Sequence, residues 1–336
     1  MKCLKVALWT GVVMLGPSIG SADWADSFSG GVVHQPWLFF DEDGVPPPDF
    51  TSVETGDEAL LFEGRAAALA TGNFDEFAAG FVGLGVPAYS FQGVRLRASV
   101  RSTPNVNFQG MFTDGNNNSF IFVRSSPTLT SYLLAIDWAE PSLDLERVNT
   151  GQVLTDLDDS TVANFNINKT YTIELAAVGS TILGSLYDGA ELVARTKAID
   201  TTYTSGWSGL GSSINVNDAY GTARTLIAAE FDNVLSISIV AGDINIDGAV
   251  DRSDAALFAG YYGLTFGSEW TTGDFNSDGR TSLADWALLR SNLGYGAPSP
   301  DAAPVPEPSS LALLVLGILL LPKRRLITAL RTNSLA

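Results

Sequence analysis

The segment TYTIELAAVGSTILGSLYDGAELVAR, residues 170–195, consists of three short runs of alternating side chains separated by two turn signals. Gly179-Ser180 and Asp188-Gly189 are the kinds of pair that close tight turns between antiparallel strands. Alternation with a period of two puts successive side chains on opposite faces of a strand, so one face of each run can be buried. The segment therefore predicts three consecutive antiparallel strands.

Similar alternation recurs across residues 23–240. A pattern typical of a helix is weak there and is confined to NFDEFAAGFVGL, residues 73–84. Many short strands with turns every eight to twelve residues predict a mainly β fold, an antiparallel jelly-roll β-sandwich. The clearest further runs are VRLRASVRS (94–102), SFIFVRS (119–125) and SYLLAIDWA (131–139).

The two ends of this region resemble those of concanavalin-like (laminin-G-like) jelly rolls. The resemblance rests on DWADSFSG at 23–30 and AAEFDNVLSISI at 228–239, together with the central run YTIELAAVGSTILGSLYDG. It implies that the first and last strands pair. Because this fold hosts lectins, carbohydrate-binding modules, glycosidases and scaffolds, function has to be argued from a site.

The composition excludes some partners. The formal net charge is −18 and the charged fraction is 17%. Nucleic-acid binding needs a basic surface, so we expect no nucleic-acid partner. An acidic surface suits an exported protein and divalent cations instead.

The N-terminus has the features of a secretory signal, residues 1–22. Lys2 and Lys5 form a positive start, and an apolar core over residues 6–16 leads to a small-residue end. The core is too short for a spanning helix, which needs about 20 apolar residues. Cys3, the one cysteine of the sequence, lies in this signal, so we expect no disulfide in the mature chain.

The C-terminus, APVPEPSSLALLVLGILLLPKRR, places a Pro-Glu-Pro motif before an apolar run and a basic cluster. As a helix, the run Leu311–Leu321 would span about 16 Å, against about 30 Å of hydrocarbon in a bilayer. One interpretation is a short tail anchor. The residues of the motif and of the basic cluster are Pro306, Glu307, Pro308, Lys323, Arg324 and Arg325.

This tripartite order resembles the PEP-CTERM sorting signal of Gram-negative bacteria, here residues 305–336 after a linker at 297–304. The resemblance implies transient insertion of the apolar helix into the inner membrane and processing by an exosortase-type enzyme. It also implies delivery of the exported protein to the cell surface or the extracellular matrix.

Two segments, GDINIDGAVDRSD (242–254) and GDFNSDGRTSLAD (273–285), have the ligand spacing of EF-type calcium loops. Such loops supply oxygen ligands from positions 1, 3, 5, 7, 9 and 12, with glycine at position 6. Asn, Asp and Gly turns without metal are the alternative. The predicted ligands of two calcium ions are Asp243, Asn245, Asp247, the carbonyl of Ala249, Asp251 and Asp254 in the first loop, and Asp274, Asn276, Asp278, the carbonyl of Arg280, Ser282 and Asp285 in the second.

The duplicated loops, each running into an apolar helix, resemble a type I dockerin over residues 241–296. The resemblance implies a small α-helical module that docks to a cohesin-like protein through its helix surfaces. A module of this size buries little core, so calcium would supply much of its folding free energy. Arg252-Ser253 and Leu283-Ala284 occupy the partner-choosing positions and differ. A calcium-braced spacer is the alternative to a docking module.

No catalytic residues are predicted in the sandwich. Asp144 and Glu146 share one face of a predicted strand, which is the arrangement nearest to a glycosidase pair. We expect them to face solvent, and DLDD at 156–159 to form an acidic loop. Candidate sugar-stacking residues are Trp37, Trp138, Tyr203 and Trp207, with core packing of each ring as the alternative.

These observations predict a secreted, surface-displayed, non-catalytic protein that binds or organises an extracellular glycan. A polysaccharide-degrading glycoside hydrolase carried by its dockerin is one alternative. A structural matrix or biofilm component is the other.

Overall fold

The alternating runs form strands in the computed structural model, which describes most of the chain between Asp23 and Gly296. The predicted signal, linker and sorting signal (1–22, 297–304 and 305–336) lie outside the described residues. The described residues are 23–28, 34–35, 37–41, 51–54, 59–66, 73–82, 90–103, 116–138, 141–151, 153–217 and 224–296.

The described residues contain fifteen β-strands followed by two α-helices. The strands are β1 (Trp24–Asp26), β2 (Trp37–Asp41), β3 (Thr51–Glu54), β4 (Ala59–Ala66), β5 (Asn73–Val82), β6 (Val94–Thr103), β7 (Asn116–Ser125), β8 (Ser131–Asp137), β9 (Ser142–Asn149), β10 (Val153–Thr161), β11 (Thr170–Val178), β12 (Thr181–Asp188), β13 (Glu191–Ile199), β14 (Trp207–Asn217) and β15 (Arg224–Ser238). The helices are α1 (Arg252–Tyr261) and α2 (Leu283–Asn292), with a 3-10 turn at Trp270–Thr272 between them.

The strands form two antiparallel sheets. Sheet A has the order β13-β12-β11-β6-β15-β4-β3, with β1 also paired to β15, and sheet B has the order β10-β9-β8-β7-β14-β5-β2. The segment 170–195 supplies β11, β12 and the start of β13, which are neighbours in sheet A, as predicted. Trp24 of β1 lies opposite Ser236 of β15, so the first and last described strands pair.

The hydrophobic core lies between the two sheets. On β6, the alternate residues Val94, Leu96, Ala98 and Val100 are fully buried in it, facing Ile121 and Leu134 from sheet B among others. The arginines between them point to the outer face of sheet A, as the alternation requires. The predicted mainly β antiparallel sandwich is thus confirmed, as are the two helices near its C-terminal side.

The weak prediction of a helix at residues 73–84 is wrong, because residues 73–82 form strand β5. This strand is hydrogen-bonded on both edges, to β14 and to β2. Its phenylalanines recur at nearly helical spacing, but pairing with two neighbouring strands decides the conformation.

The described residues from Asp23 to Tyr295 belong to one compact unit that includes the sandwich and both helices. Within the described ranges, no helix has the length and apolar character needed to cross a bilayer.

Candidate calcium loops and outer faces of the sandwich

The first loop is organised around the carboxylate of Asp243. Its oxygens accept hydrogen bonds from the backbone N–H of Asp247 at 3.1 Å and of Gly248 at 2.8 Å. Gly248 has φ of 93°, a left-handed conformation that glycine adopts without strain. Asp254 closes the loop by accepting from the N–H groups of Ile244 and Asp251, at 2.9 and 2.8 Å.

The second loop repeats this arrangement. The carboxylate of Asp274 accepts from the N–H of Asp278 at 3.1 Å and of Gly279 at 2.7 Å. Asp285 accepts from the N–H groups of Phe275 and Ser282, at 2.9 and 3.0 Å. The sequence duplication is therefore a duplication of backbone structure.

The remaining predicted ligand positions lie along the same loops. Asn245 and Asp247 are exposed and joined by a 2.8 Å hydrogen bond between their side chains. Position 9 has a second role in both loops, because Asp251 caps α1 and Ser282 caps α2. These caps begin each helix directly at the end of its loop.

The loop carboxylates at positions 1 and 12 are buried, since Asp243 and Asp254 are 1% and 0% exposed. Burial, with further contributions from the Asp254 and Asp247 carboxylates, raises the pKa of Asp243 to about 7. Burial also raises the pKa of Asp274. Crowded, buried carboxylates with an amide oxygen close by form a donor set that fits a hard divalent cation such as calcium.

The described residues contain no preformed cluster of three or more His, Cys, Asp or Glu side chains with metal-site geometry. Each loop instead interleaves carboxylates with Asn and a backbone carbonyl at the predicted ligand positions, and the second loop adds Ser282. The fit to calcium therefore rests on the loop pattern and on the buried carboxylates.

Reciprocal backbone hydrogen bonds close the two halves of the module on each other. Val250, at position 8 of the first loop, accepts from Gly294 at 2.8 Å and donates to Tyr295 at 2.9 Å. Thr281, its counterpart, accepts from Gly263 at 2.9 Å and donates to Leu264 at 3.0 Å. The first loop thus pairs with the residues that follow α2, and the second loop pairs with the residues that follow α1.

The module packs on the outer face of sheet A through one shared hydrophobic cluster. Ala176 and Val178 of β11 contribute from the sandwich, and Ile246 and Trp270 from the module. The indole N–H of Trp270 donates to the carbonyl of Asp243 at 2.6 Å. Gly179, in the β11–β12 turn, lets the ring approach, since a Cβ there would lie 3.3 Å from the Trp270 ring.

The helices and the segment between them expose apolar side chains to solvent. Leu283 of α2 is 69% exposed, and Phe266 between the helices is 90% exposed. Leu283 is one of the predicted partner-choosing positions, and the sequence analysis did not single out the others. The other large exposed apolar residues of the module are Leu257, Tyr261, Tyr262, Leu264, Trp286, Leu293 and Tyr295.

Two of the four candidate sugar-stacking residues are not available to a ligand. Trp37 is 7% exposed and Trp138 is 3% exposed, and both belong to the core between the sheets. The Trp138 indole N–H donates inward to Ser119 Oγ at 2.8 Å. The prediction that these two rings stack on sugar is therefore wrong. Tyr203 and Trp207 are partly exposed.

Asp144 and Glu146 lie next to each other on the outward face of β9. They are half-buried rather than fully solvated, and they oppose Asp159 and Asp156 of β10. Burial, then the charge of Asp144 and that of Asp156, raises the pKa of Glu146 to about 7. Residues 156–159 lie within β10 and do not form the predicted loop.

Comparison with known families identifies the module. Residues 241–294 match the dockerin type I domain, a calcium-binding domain. No curated protein matches the chain.

Solved structures resemble the sandwich at low similarity. The carbohydrate-binding module CBM66 from Bacillus subtilis is 18% identical, with a TM-score of 0.33, 52% of this chain covered and 94% of that chain. The Emp47p carbohydrate recognition domain is 13% identical, with a TM-score of 0.41 and coverage of 66% and 97%. The VIP36 exoplasmic/lumenal domain in its Ca2+/Man-bound form is 10% identical, with a TM-score of 0.43 and coverage of 65% and 90%. At these values, the matches carry no argument about what this chain binds.

Proposed function

We propose that this chain is an exported surface protein that binds or organises extracellular polysaccharide without cleaving it, and that its dockerin module docks it to a partner. The proposal that the module docks to a partner rests on a difference between two sides of the module. The loop side is packed against sheet A through Ile246 and Trp270, while the helices present apolar side chains to solvent.

In this proposal, each loop holds one calcium ion. Asp243, Asn245, Asp247, the Ala249 carbonyl, Asp251 and Asp254 are the ligands in the first loop, and Asp274, Asn276, Asp278, the Arg280 carbonyl, Ser282 and Asp285 in the second. Calcium would neutralise the buried carboxylates and fix the start of each helix.

The partner proposed for the exposed helix face is a cohesin-like protein. Arg252-Ser253 and Leu283-Ala284, at the start of the two helices, are all exposed. A basic pair in one half and an apolar pair in the other present different surfaces. The two halves would therefore not be interchangeable in docking.

The sandwich is proposed to be of the concanavalin-like class, and the pairing of β1 with β15 supports this assignment. Tyr203 and Trp207, in and beside the segment between β13 and β14, are the remaining candidate stacking residues. A cleaved signal at 1–22 and an exosortase-processed signal at 305–336 would deliver the protein to the cell surface or matrix of a Gram-negative-type bacterium.

Glycan-array binding by the full-length chain tests the polysaccharide function. We expect binding to a defined polysaccharide that falls about ten-fold in W207A, because loss of one stacked ring typically costs more than 1 kcal/mol. W286A, which removes a partly exposed Trp of α2 outside the sandwich, serves as the matched control. Absence of binding to every glycan, with calcium and with chelator, would favour the alternative that the protein is a structural matrix component.

A glycoside hydrolase is the second candidate, and one observation favours it. Asp144 and Glu146 are two residues apart on one strand face, about 6.6 Å between Cα atoms. A carboxyl with a pKa near 7 can serve as a general acid, as glycosidases require.

If the sandwich is a hydrolase, incubation with polysaccharide will release reducing ends, and E146Q will lower the rate by at least about 100-fold. The change removes the titrating acid and keeps the shape of the side chain. E191Q, the same substitution at an exposed residue of β13 in the other sheet, is the control for altered charge. Equal rates in the wild-type chain and E146Q would exclude Glu146 as the acid.

A further inference from the structure

A cavity of about 340 Å³ lies between the outer face of sheet A and the first calcium loop. Arg95, Arg97, Glu174, Tyr187 and Arg195 line it from the sandwich, and Asn245 lines it from the loop. Asn245 is also a proposed calcium ligand, and the other five residues belong to neither the proposed calcium sites nor the proposed docking face.

The strand register brings these side chains together. Arg97 of β6 lies opposite Glu174 of β11, which lies opposite Ser185 of β12, which lies opposite Arg195 of β13. Three strand spacings separate the two arginines, about 14 Å between Cα atoms. Both can therefore contact one extended ligand that carries more than one anionic group.

The cavity is positively charged although the chain as a whole carries −18. Three arginines line it against the single carboxylate of Glu174. A local excess of positive charge in an acidic protein concentrates anionic ligands at that place.

Arg95 has a structural role and an unused donor. Its guanidinium donates to the carbonyl of Ile246 at 2.6 Å, which joins sheet A to the first loop. Its Nε is buried without a hydrogen-bond partner and lies 3.9 Å from the nearest Glu174 oxygen.

Arg97 and Arg195 are exposed, and in the described part of the chain neither guanidinium forms a hydrogen bond or ion pair with another residue. The guanidinium of Arg97 lies over the Tyr187 ring, 6.0 Å from its centroid. This contact orients the guanidinium and leaves its N–H donors available.

We propose that this cavity binds an acidic polysaccharide, with Arg97 and Arg195 contacting carboxylates of different uronate units along one chain. The planar guanidinium donates to a carboxylate through two parallel N–H bonds, which suits uronates in particular. The inference rests on the proposed polysaccharide function and names the ligand class and its site.

Titration calorimetry of the full-length chain in calcium, with oligogalacturonate as the probe, tests this site. We expect R97A/R195A to weaken binding by about ten-fold or more, because two charge-assisted contacts are lost. R290E alters one exposed arginine of α2 with the same change in net charge, and we expect affinity within about two-fold of wild type. R195E is a second, single-site variant that we also expect to weaken binding strongly.

Dextran sulfate and a neutral glucan are the comparison probes. Equal oligogalacturonate affinity in R97A/R195A and R290E would overturn the site, and tight binding of dextran sulfate alone would overturn the uronate assignment. Binding of neutral glucan alone, unchanged in R97A/R195A, would overturn this inference and leave the polysaccharide function standing. Binding of none of the probes would overturn the inference, and the glycan array then decides the polysaccharide function independently.

Discussion

Chelation of calcium is expected to unfold the dockerin module and to lower the thermal stability of the whole compact unit. At calcium concentrations about 1,000-fold above Kd, each bound ion contributes about 4 kcal/mol to the folded state. Its removal also leaves the buried carboxylates of Asp243 and Asp254 without a counter-charge. We expect loss of helical circular dichroism and a fall in Tm of roughly 10 °C or more.

The pH dependence provides a sharper version of this experiment. Without metal, burial raises the pKa of Asp243 to about 7 in the folded chain, well above the ordinary value of an aspartate. The folded state then binds the proton more tightly, so the metal-free module loses stability as pH rises from about 4 towards 7. The difference in Tm between calcium and chelator should therefore be larger at pH 8 than at pH 6.

D243N/D274N is the variant that separates calcium binding from general effects of a chelator. It removes one ligand charge from each loop while preserving side-chain size, and we expect it to behave in calcium as the wild-type chain does in chelator. Unchanged helix content and Tm of the wild-type chain on chelation would show that the loops are metal-independent turns.

Replacement of Trp270 by alanine is the second change with a large expected effect, a loss of about 3–5 kcal/mol from the free energy of unfolding. Trp270 is 7% exposed, and its ring centroid lies 5.2 Å from that of Phe275. Its loss leaves a cavity between the module and sheet A and removes the hydrogen bond to the Asp243 carbonyl. Denaturant unfolding of the full-length chain in calcium measures the effect.

W286A is the matched control, because Trp286 is 37% exposed and packs against Phe258 with ring centroids 5.6 Å apart. We expect it to cost less than about half as much as W270A. We also expect W270A to separate the unfolding of the module from that of the sandwich. A loss in W270A no larger than that in W286A would mean that the shared cluster does not couple them.

Local patterns determined much of this structure. The alternation in residues 170–195 was sufficient for β11 to β13 and their turns, because side-chain direction in a strand depends on neighbouring residues alone. The loops at 242–254 and 273–285 could equally be predicted from the sequence, since the proposed ligands, the glycine and the helix cap of each loop lie within twelve consecutive residues. The match over 241–294 confirms the predicted dockerin type I module, and the individual ligands stay a prediction.

Local sequence patterns gave wrong predictions where conformation or burial depends on contacts with residues far away in the chain. The phenylalanines of β5 suggested a helix until strands on both sides fixed the conformation. The sequence could not show that Trp37 and Trp138 face the core, because burial depends on how the two sheets stack.

The sequence by itself determined that this chain has strands that bury one face and two loops suited to calcium. Only the tertiary structure decided that Trp270 packs beside Gly179 and that Arg97 and Arg195 line one cavity with Asn245. The physical reason is that these groups are far apart along the chain. Strand register and the packing of the module on sheet A bring them together, and neither has a signal within a single segment.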